Sequence, residues 1–162
     1  MEKRGLNPAV ITAAALTLLD EVGLAELSTR RLAAKLGVQS PTLYWHVRSK
    51  AELLDLVAEA LYAEAVLAEP ATDWRAEITR TLVSFRDLLA EHRDTPALLR
   101  ERPPGPRRAA HTESLVNALT EAGFAPTDAA AGTELLLTHT LDSTHFTEGL
   151  EIILDGLTHR LS

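Results

Sequence analysis

Residues 27–50 read LSTRRLAAKLGVQSPTLYWHVRSK, and the first half of this stretch predicts a short helix that ends in a tight turn. Ser28 is the kind of residue that caps a helix N-terminus, and Leu32 and Leu36 lie one turn apart on the apolar face that follows. Gly37 is expected to end the helix, because glycine readily adopts the left-handed conformation found at helix C-termini.

A second short helix, about two turns long, is predicted to begin at Ser40 and Pro41. Leu43 and Val47 lie one turn apart and are suited to pack inward, which turns the side chains around them outward. Helix, turn and helix in this order form the helix-turn-helix arrangement, whose second helix enters the major groove of DNA. The side chains then presented outward are Pro41, Thr42, Tyr44, Trp45 and His46.

Tyr44 and Trp45 are neighbours in a chain that has only seven aromatic residues. On an outward face, the Thr42 methyl group and the aromatic edges contact thymine methyl groups, while the Tyr44 hydroxyl and His46 nitrogens reach phosphates or base edges. Lys50, at the start of the next helix, combines an ammonium group with backbone N–H groups that favour a phosphate. The alternative is that Tyr44 and Trp45 fill the core between helices.

The charge of the chain is unevenly distributed. The net charge is -7, yet residues 1–50 carry seven Lys and Arg residues, Lys3 and Arg4 among them, against four acidic residues. This asymmetry predicts a small basic module that contacts a polyanion and an acidic body with another task. A solvated surface with chance clustering of charge is the alternative.

The remaining chain repeats apolar residues at three- and four-residue spacings and has no convincing alternating stretch, so the fold is predicted to be all-α. Asn7 and Pro8 are expected to open the first helix and Gly23 to close it. Residues 1–50 form a predicted three-helix, helix-turn-helix DNA-binding domain, and residues 51–162 form a helical second domain.

Composition excludes several classes of protein. The chain has no cysteine, no apolar run of about 20 residues and no signal-peptide core at its N-terminus, so we expect a cytoplasmic protein without a membrane partner. No catalytic constellation, metal-binding pattern or cofactor loop is visible, and an enzyme is therefore not predicted. The alternatives are a helical small-molecule-binding or hydrolytic enzyme without DNA binding, and a helical interaction protein. The scattered histidines are His46, His92, His111, His139, His145 and His159.

The stretch LSTRRLAAKLGVQSPTLYWHVRSKAELLDLVA resembles the DNA-binding module of the TetR family of bacterial transcriptional repressors. The YWHV run and the lysine that follows are most similar to the tetracycline repressor subgroup, in which a glutamine stands in place of Ser40. The resemblance implies that Arg30 contacts a base and that Thr29 and Lys50 contact phosphates. It also implies that the third helix reads operator bases through Ser40, Pro41, Thr42, Tyr44, Trp45 and His46.

The acidic remainder resembles the regulatory body of this family, which binds a small molecule and dimerises. The resemblance implies a homodimer on double-stranded, palindromic operator DNA that a small-molecule inducer releases. Of the residues that form the pocket for magnesium-chelated tetracycline in the subgroup, only Phe85 and the Arg102–Pro103 pair are retained, so we expect a hydrophobic, aromatic or polyketide-like inducer that needs no metal or cofactor. The predicted ligand-binding residues are Trp74, Thr81, Phe85, Leu99, Arg102, Pro103, Thr138 and His139.

Two further expectations concern the body. The segment RERPPGPRR at residues 100–108 is predicted to be a loop and the switch element, because three prolines and a glycine prevent a continuous helix; the alternative is a solvated loop without this role. The chain is also shorter than relatives in the resembled family between about Leu141 and Phe146, where they carry a lid helix. Either this chain lacks that helix or a segment is missing from the sequence at this point.

The final helix is predicted to dimerise. Its apolar stripe is too wide for a lone surface helix, and pairing it with the helix at 127–141 and their twofold-related copies would form a four-helix bundle. On this expectation, acidic replacements at Leu150 and Leu157 yield monomers. The stripe comprises Phe146, Leu150, Ile153, Leu154, Leu157 and Leu161.

Overall fold

The computed structural model describes residues 6–161, and every regular element in that range is a helix, which confirms the all-α prediction. The basic residues Lys3 and Arg4 lie outside the described residues. The helices are α1 (Pro8–Glu26), α2 (Thr29–Leu36), α3 (Ser40–Tyr44), α4 (Lys50–Glu64), α5 (Trp74–Ala90), α6 (Thr95–Glu101), α7 (Pro106–Glu121), α8 (Pro126–Asp142) and α9 (Phe146–Thr158).

The helices pack into two compact units. Among the described residues, the first unit comprises residues 6–61 and Leu89–Pro103, and the second comprises Tyr62–Leu88 and residues 104–161. This division differs from the predicted boundary between residues 50 and 51. The first unit keeps most of α4, whose Leu53 and Val57 are completely buried.

Helix α1 begins as predicted but ends later than predicted. The Asn7 side chain accepts a hydrogen bond from the Val10 N–H at 3.0 Å, and Pro8 is the first helical residue. Gly23 does not close the helix: it has φ 77° and ψ 170°, and another turn follows it up to Glu26. The expectation that Gly23 ends α1 was therefore wrong, because the break is only a kink.

The kink in α1 depends on a residue far along the chain. It frees the N–H of Leu24, which donates to the Asp94 carboxylate at 2.9 Å. A side chain at Gly23 would strain the positive φ, and its Cβ would lie 2.9 Å from Asp94 Oδ2. Asp20 in turn accepts from the Arg93 N–H at 2.9 Å, so the end of α1 and the turn before α6 hold each other.

By length and composition alone, α1 is apolar enough to cross a membrane. In this structure it packs against α2, and Ile11, Ala15 and Leu19 are buried in the first unit. Its apolar composition is therefore explained as that of a helix in a domain core.

In the second unit, α7 packs on α8 and α8 packs on α9. Residues 143–145 alone connect α8 to α9, so no further helix lies between Leu141 and Phe146 in this chain as given. Helices α8 and α9 pack closely, since a Cβ at Gly132 would lie 2.8 Å from the Leu157 side chain. Arg86 caps the end of α8 by donating to the Thr140 carbonyl at 2.6 Å and the Ser143 carbonyl at 3.0 Å.

The predicted loop at 100–108 is shorter in the structure. Helix α6 continues to Glu101, and α7 already begins at Pro106, which leaves residues 102–105 between them. Pro106 occupies the first turn of α7, where its missing N–H costs nothing and its fixed φ suits a helix. The prediction erred because it counted this proline as a helix breaker.

Candidate functional site

The turn between α2 and α3 is built by local sequence. Ser28 Oγ accepts from the Arg31 N–H at 3.3 Å at the start of α2. At its end, Gly37 has φ 67° and donates to Ala34 O at 3.1 Å, while Val38 donates to Ala33 O at 3.0 Å. No atom lies within 4 Å of a Cβ at Gly37, so glycine is needed there for its backbone conformation alone.

Helix α3 is anchored by two side chains and exposes its aromatic pair. Leu43 and Val47 are 1% and 2% exposed, whereas Tyr44 and Trp45 are 57% and 82% exposed. The predicted outward presentation is confirmed, and the alternative that both aromatic residues fill the core is wrong.

The other predicted DNA-contacting residues lie at the start of α2, on or just after α3, and at the start of α4. Thr29 is half-buried at the start of α2, and the rest are exposed: Arg30, Ser40, Pro41, Thr42, His46 and Lys50. Arg31 is paired with Glu26 at 2.5 Å, but no carboxylate among residues 6–161 pairs with Arg30. Of the two adjacent arginines, Arg30 is therefore the one whose guanidinium group is available. We call the eight exposed residues the reading surface: Arg30, Ser40, Pro41, Thr42, Tyr44, Trp45, His46 and Lys50.

Lys50 is less free than the sequence suggests. Its Nζ donates to the carbonyl oxygens of Leu24 at 3.4 Å and Ala25 at 3.2 Å, at the C-terminal end of α1. An ammonium group has three donors, so one remains for another acceptor. The preceding Ser49 caps α4 by accepting from the Glu52 N–H at 3.1 Å, and Glu52 accepts from the Arg48 N–H at 2.8 Å.

Three of the predicted ligand-binding residues belong to the first unit. Leu99 is buried, Pro103 is exposed and Arg102 is half-buried. Arg102 Nε donates to Asp55 Oδ1 at 2.7 Å, which ties the end of α6 to α4.

The predicted ligand-binding residues of the second unit do not form one group. Thr81 and Phe85 are both completely buried on α5. Trp74 lies about 16 Å from Phe85 along the same helix, and its ring packs on Phe124 at a centroid distance of 5.0 Å. Thr138 is exposed.

His139 contacts another aromatic residue, Phe146. Its Nε2 lies 2.9 Å from the Phe146 carbonyl oxygen, and its ring stacks on the Phe146 ring at 5.9 Å. A Cβ at Gly149 would lie 2.1 Å from the same imidazole, so the glycine makes room for it. In this position His139 joins α8 to α9.

Sequence reasoning missed two members of the group around Phe85. Tyr62 stacks on Phe85 at 5.1 Å between ring centroids, and the His111 imidazole lies 4.8 Å from Phe85 and 5.6 Å from Tyr62. Burial lowers the pKa of His111 to about 4, so the imidazole is neutral near pH 7. The available signal was spacing, since His111 precedes Leu115 and Leu119 on the apolar face of α7.

Helices α8 and α9 also expose apolar side chains. Leu135 and Ile152 are 54% and 71% exposed, and both line a groove of about 400 Å³ that also includes Gly156. Leu150 and Leu157, by contrast, are buried within their own unit. The expectation that these two leucines can be replaced to separate protomers was misplaced, because each fills the core of its own unit.

An exposed recognition helix on a helix-turn-helix head, followed by a second helical unit, defines the class of helix-turn-helix DNA-binding proteins. Two family profiles match the chain: "Bacterial regulatory proteins, tetR family" over residues 11–57, and "Tetracyclin repressor-like, C-terminal domain" over residues 67–144. The chain belongs to the tetR family of bacterial regulatory proteins, which confirms the resemblance seen in the sequence.

Individual relatives agree with this assignment. The chain is 41% identical to the tetracycline repressor protein class A from transposon 1721 of Escherichia coli over 127 residues, which are 76% of this chain and 59% of that repressor. The chain thus spans about three fifths of the length of that curated relative.

Solved structures share the fold as well. A variant of TetR from Acinetobacter baumannii AYE in complex with minocycline is 32% identical, with a TM-score of 0.85 over 97% of this chain and 99% of that one. BioQ with its double-stranded DNA operator is 30% identical, with a TM-score of 0.84 over 95% and 99% of the two chains.

Proposed function

We propose that this protein is a homodimeric transcriptional repressor that binds a palindromic operator and is released from it by a small-molecule inducer. The observation that carries the proposal is the exposure of Tyr44 and Trp45 on a helix anchored by Leu43 and Val47. Exposing two adjacent aromatic rings forgoes the free energy of burying them, and such apolar patches mark surfaces that bind a partner.

The relatives support the same function. BioQ was solved with its DNA operator, and the Acinetobacter TetR variant was solved with minocycline, so proteins of this fold bind both kinds of partner. An enzyme without DNA binding, the alternative from the sequence, would leave the exposed aromatic pair without a use. We therefore infer a regulator rather than an enzyme, acting in the cytoplasm, where operator DNA is accessible.

We place α3 in the major groove. The side chains of Thr42, Tyr44 and Trp45 then meet base edges and thymine methyl groups, and the Arg30 fork is suited to O6 and N7 of a guanine. Thr29 and Lys50 lie at the N-termini of α2 and α4, where backbone N–H groups also favour phosphates. In this arrangement Arg30 and the α3 side chains supply sequence preference, and the phosphate contacts fix orientation.

We propose that the exposed apolar face of α8 and α9 forms the dimer interface. Leu135 and Ile152 would lose their contact with water against the same face of a second copy, as in a twofold four-helix bundle. The groove beside them includes Gly156, and no atom lies within 4 Å of a Cβ there, so a partner helix can approach closely. Two heads then contact two half-sites of a palindrome.

For the inducer, Thr81 and Phe85 are the predicted contacts that the second unit brings together in its core. The Phe85 ring contacts the rings of Tyr62 and His111, which supports an aromatic ligand. The segment at residues 102–105 remains our candidate for the switch, since it connects α6 to α7 without regular structure. For the inducer to release the protein from its operator, it must favour the state that does not bind DNA by about 1–3 kcal/mol.

The test is selection of DNA by the purified protein from a pool of randomised duplexes. We expect enrichment of one palindromic sequence. The logarithm of the association constant for it should fall linearly with the logarithm of the salt concentration. A variant with Tyr44→Ala and Trp45→Ala serves as the matched control and should enrich no sequence. If the unaltered protein also enriches none and passes through a heparin column at low salt, it is not a DNA-binding repressor.

A further inference from the structure

The core of the second unit contains three polar side chains that lack hydrogen-bond partners. Thr81, His111 and Thr133 are completely buried, and neither their hydroxyl oxygens nor the two His111 ring nitrogens bond to any other described residue. Buried polar groups are normally paired, because an unpaired donor or acceptor forfeits its hydration without compensation. Three such side chains in one unit therefore require an explanation.

The threonines show that this is not a general property of the helices. The buried hydroxyls of Thr81 and Thr133 do not donate to the carbonyl oxygen one turn back or to any other acceptor among residues 6–161. Thr140 on α8 is equally buried, yet it donates to Leu136 O at 2.8 Å. The same back-bond, the usual solution for threonine in a helix, is made by Thr12, Thr17, Thr112, Thr120, Thr140 and Thr158.

Aromatic rings surround part of this unpaired set. Phe85 lies one turn beyond Thr81 on α5, and its ring contacts those of Tyr62 and His111 at 5.1 and 4.8 Å, while these two rings also contact each other at 5.6 Å. Desolvation keeps the His111 imidazole neutral by lowering its pKa to about 4, so the ring presents one donor and one acceptor. The Thr81 hydroxyl can also donate and accept a hydrogen bond. This part of the core can therefore pair with both donors and acceptors on a ligand.

We propose that His111 and Thr81 form the polar end of the inducer site, and that this site selects an uncharged, planar aromatic ligand with a hydroxyl group beside a carbonyl group. Tyr62 and Phe85 supply aromatic faces for the ligand ring, and the hydroxyl–carbonyl edge pairs with the His111 nitrogens and the Thr81 hydroxyl. A charged ligand is disfavoured because transferring a charge from water into a buried site is costly.

This inference rests on the proposed function, since it names the chemistry of the inducer. It makes His111 a specificity-determining residue: a ligand without the oxygen edge leaves buried polar groups unpaired, and such sites strongly reject analogues that lack the hydrogen-bonding group. Replacing those polar groups by apolar ones of similar size should then stabilise the ligand-free protein and lower its affinity for the ligand.

The experiment uses 1,8-dihydroxyanthraquinone as the probe and anthracene as its oxygen-free counterpart, with affinity measured by equilibrium dialysis. We expect saturable binding of the probe to the unaltered protein, unchanged by EDTA, and binding at least about tenfold weaker in His111→Phe and Thr81→Val. Thr140→Val is the matched control, because that hydroxyl is buried but already paired, and its probe affinity should stay unchanged.

Thermal unfolding without the probe provides a second readout. Thr81→Val should raise the midpoint temperature, whereas Thr140→Val should leave it unchanged or lower it. The proposal is overturned if the unaltered protein binds anthracene as tightly as the probe or binds neither, if EDTA abolishes binding, if both site variants keep full probe affinity, or if Thr81→Val lowers the midpoint.

Operator binding, measured separately without the probe, keeps the two proposals distinguishable. A protein that binds the probe as expected but selects no DNA contradicts the proposed repressor function and leaves the polar site standing. A protein that selects a palindrome but fails the probe measurements retains the repressor function and loses the site.

Discussion

In the first unit the Trp45 residue exposes 82% of its surface, whereas in the second unit the His111 imidazole is completely buried without a hydrogen-bond partner among residues 6–161. The first arrangement gives up the gain from burying an apolar ring, and the second incurs the cost of burying a polar one. Both depart from the usual distribution of side chains, in opposite directions. Each departure has an explanation if the exposed ring meets DNA and the buried imidazole meets a ligand, so both lie where a binding partner is expected.

The largest effect is expected at the exposed apolar face of the second unit. Replacing Leu135 and Ile152 together with Glu should yield monomers and weaken operator binding by about 100-fold or more, because a single head loses the advantage of two linked half-sites. Sedimentation and gel shifts measure the two results. Val83→Glu, a partly exposed valine on α5, is the control and should remain dimeric. A Leu135 and Ile152 variant that stays dimeric would place the interface elsewhere.

Burial of His111 predicts a pH dependence of stability. Its pKa is about 4 in the folded protein and about 6.5 when unfolded. As pH falls below about 6.5 the unfolded state binds the proton first, so stability is lost until about pH 4. The loss from about pH 7.5 to about pH 5 should be about 2 kcal/mol, measured by denaturant unfolding.

The His111→Phe variant isolates this contribution, because the other histidines titrate in both proteins. It should lose about 2 kcal/mol less than the unaltered protein over the same pH interval. Equal losses of stability in the two proteins would mean that His111 is hydrated in solution. His111 would then not be a buried polar group to set against the exposed Trp45 ring.

On the reading surface, the two adjacent arginines offer a matched pair. Arg30→Ala should cost about 1–3 kcal/mol of operator affinity and relax the preference at one base pair. Arg31→Ala should change that preference little, because Arg31 is already paired with Glu26 at 2.5 Å. Competition gel shifts with single-base operator variants measure the preference. If Arg31→Ala relaxes the base preference and Arg30→Ala does not, Arg31 rather than Arg30 contacts the base.

The smallest effect concerns the stability of the first unit. Trp45→Ala should change the free energy of unfolding by no more than about 0.5 kcal/mol, because the exposed ring contributes little to the core. Operator affinity should nevertheless fall. Leu43→Ala, which truncates a buried neighbour on the same helix, should cost about 2–5 kcal/mol. Comparable losses from the two changes would show that the Trp45 ring is buried in solution.

Predictability from sequence differed between the two units. The reading surface follows from contacts a few residues apart: the caps at Ser28 and Gly37 and the one-turn spacing of Leu43 and Val47 are visible in the chain. The ligand-binding set was predicted less well. Thr81 and Phe85 share a helix and came together, but Trp74 and His139 pack at other places in the second unit.

The sequence by itself determined the helical class, the family and the outward turn of α3, because helix caps, glycine turns and apolar periodicity act within one or two turns of backbone. Only the tertiary structure decided how far α1 continues past Gly23, since the freed N–H of Leu24 is paired by Asp94. It also decided that His111 is a neutral core residue. Burial depends on which helices meet, and residues distant in sequence make that choice.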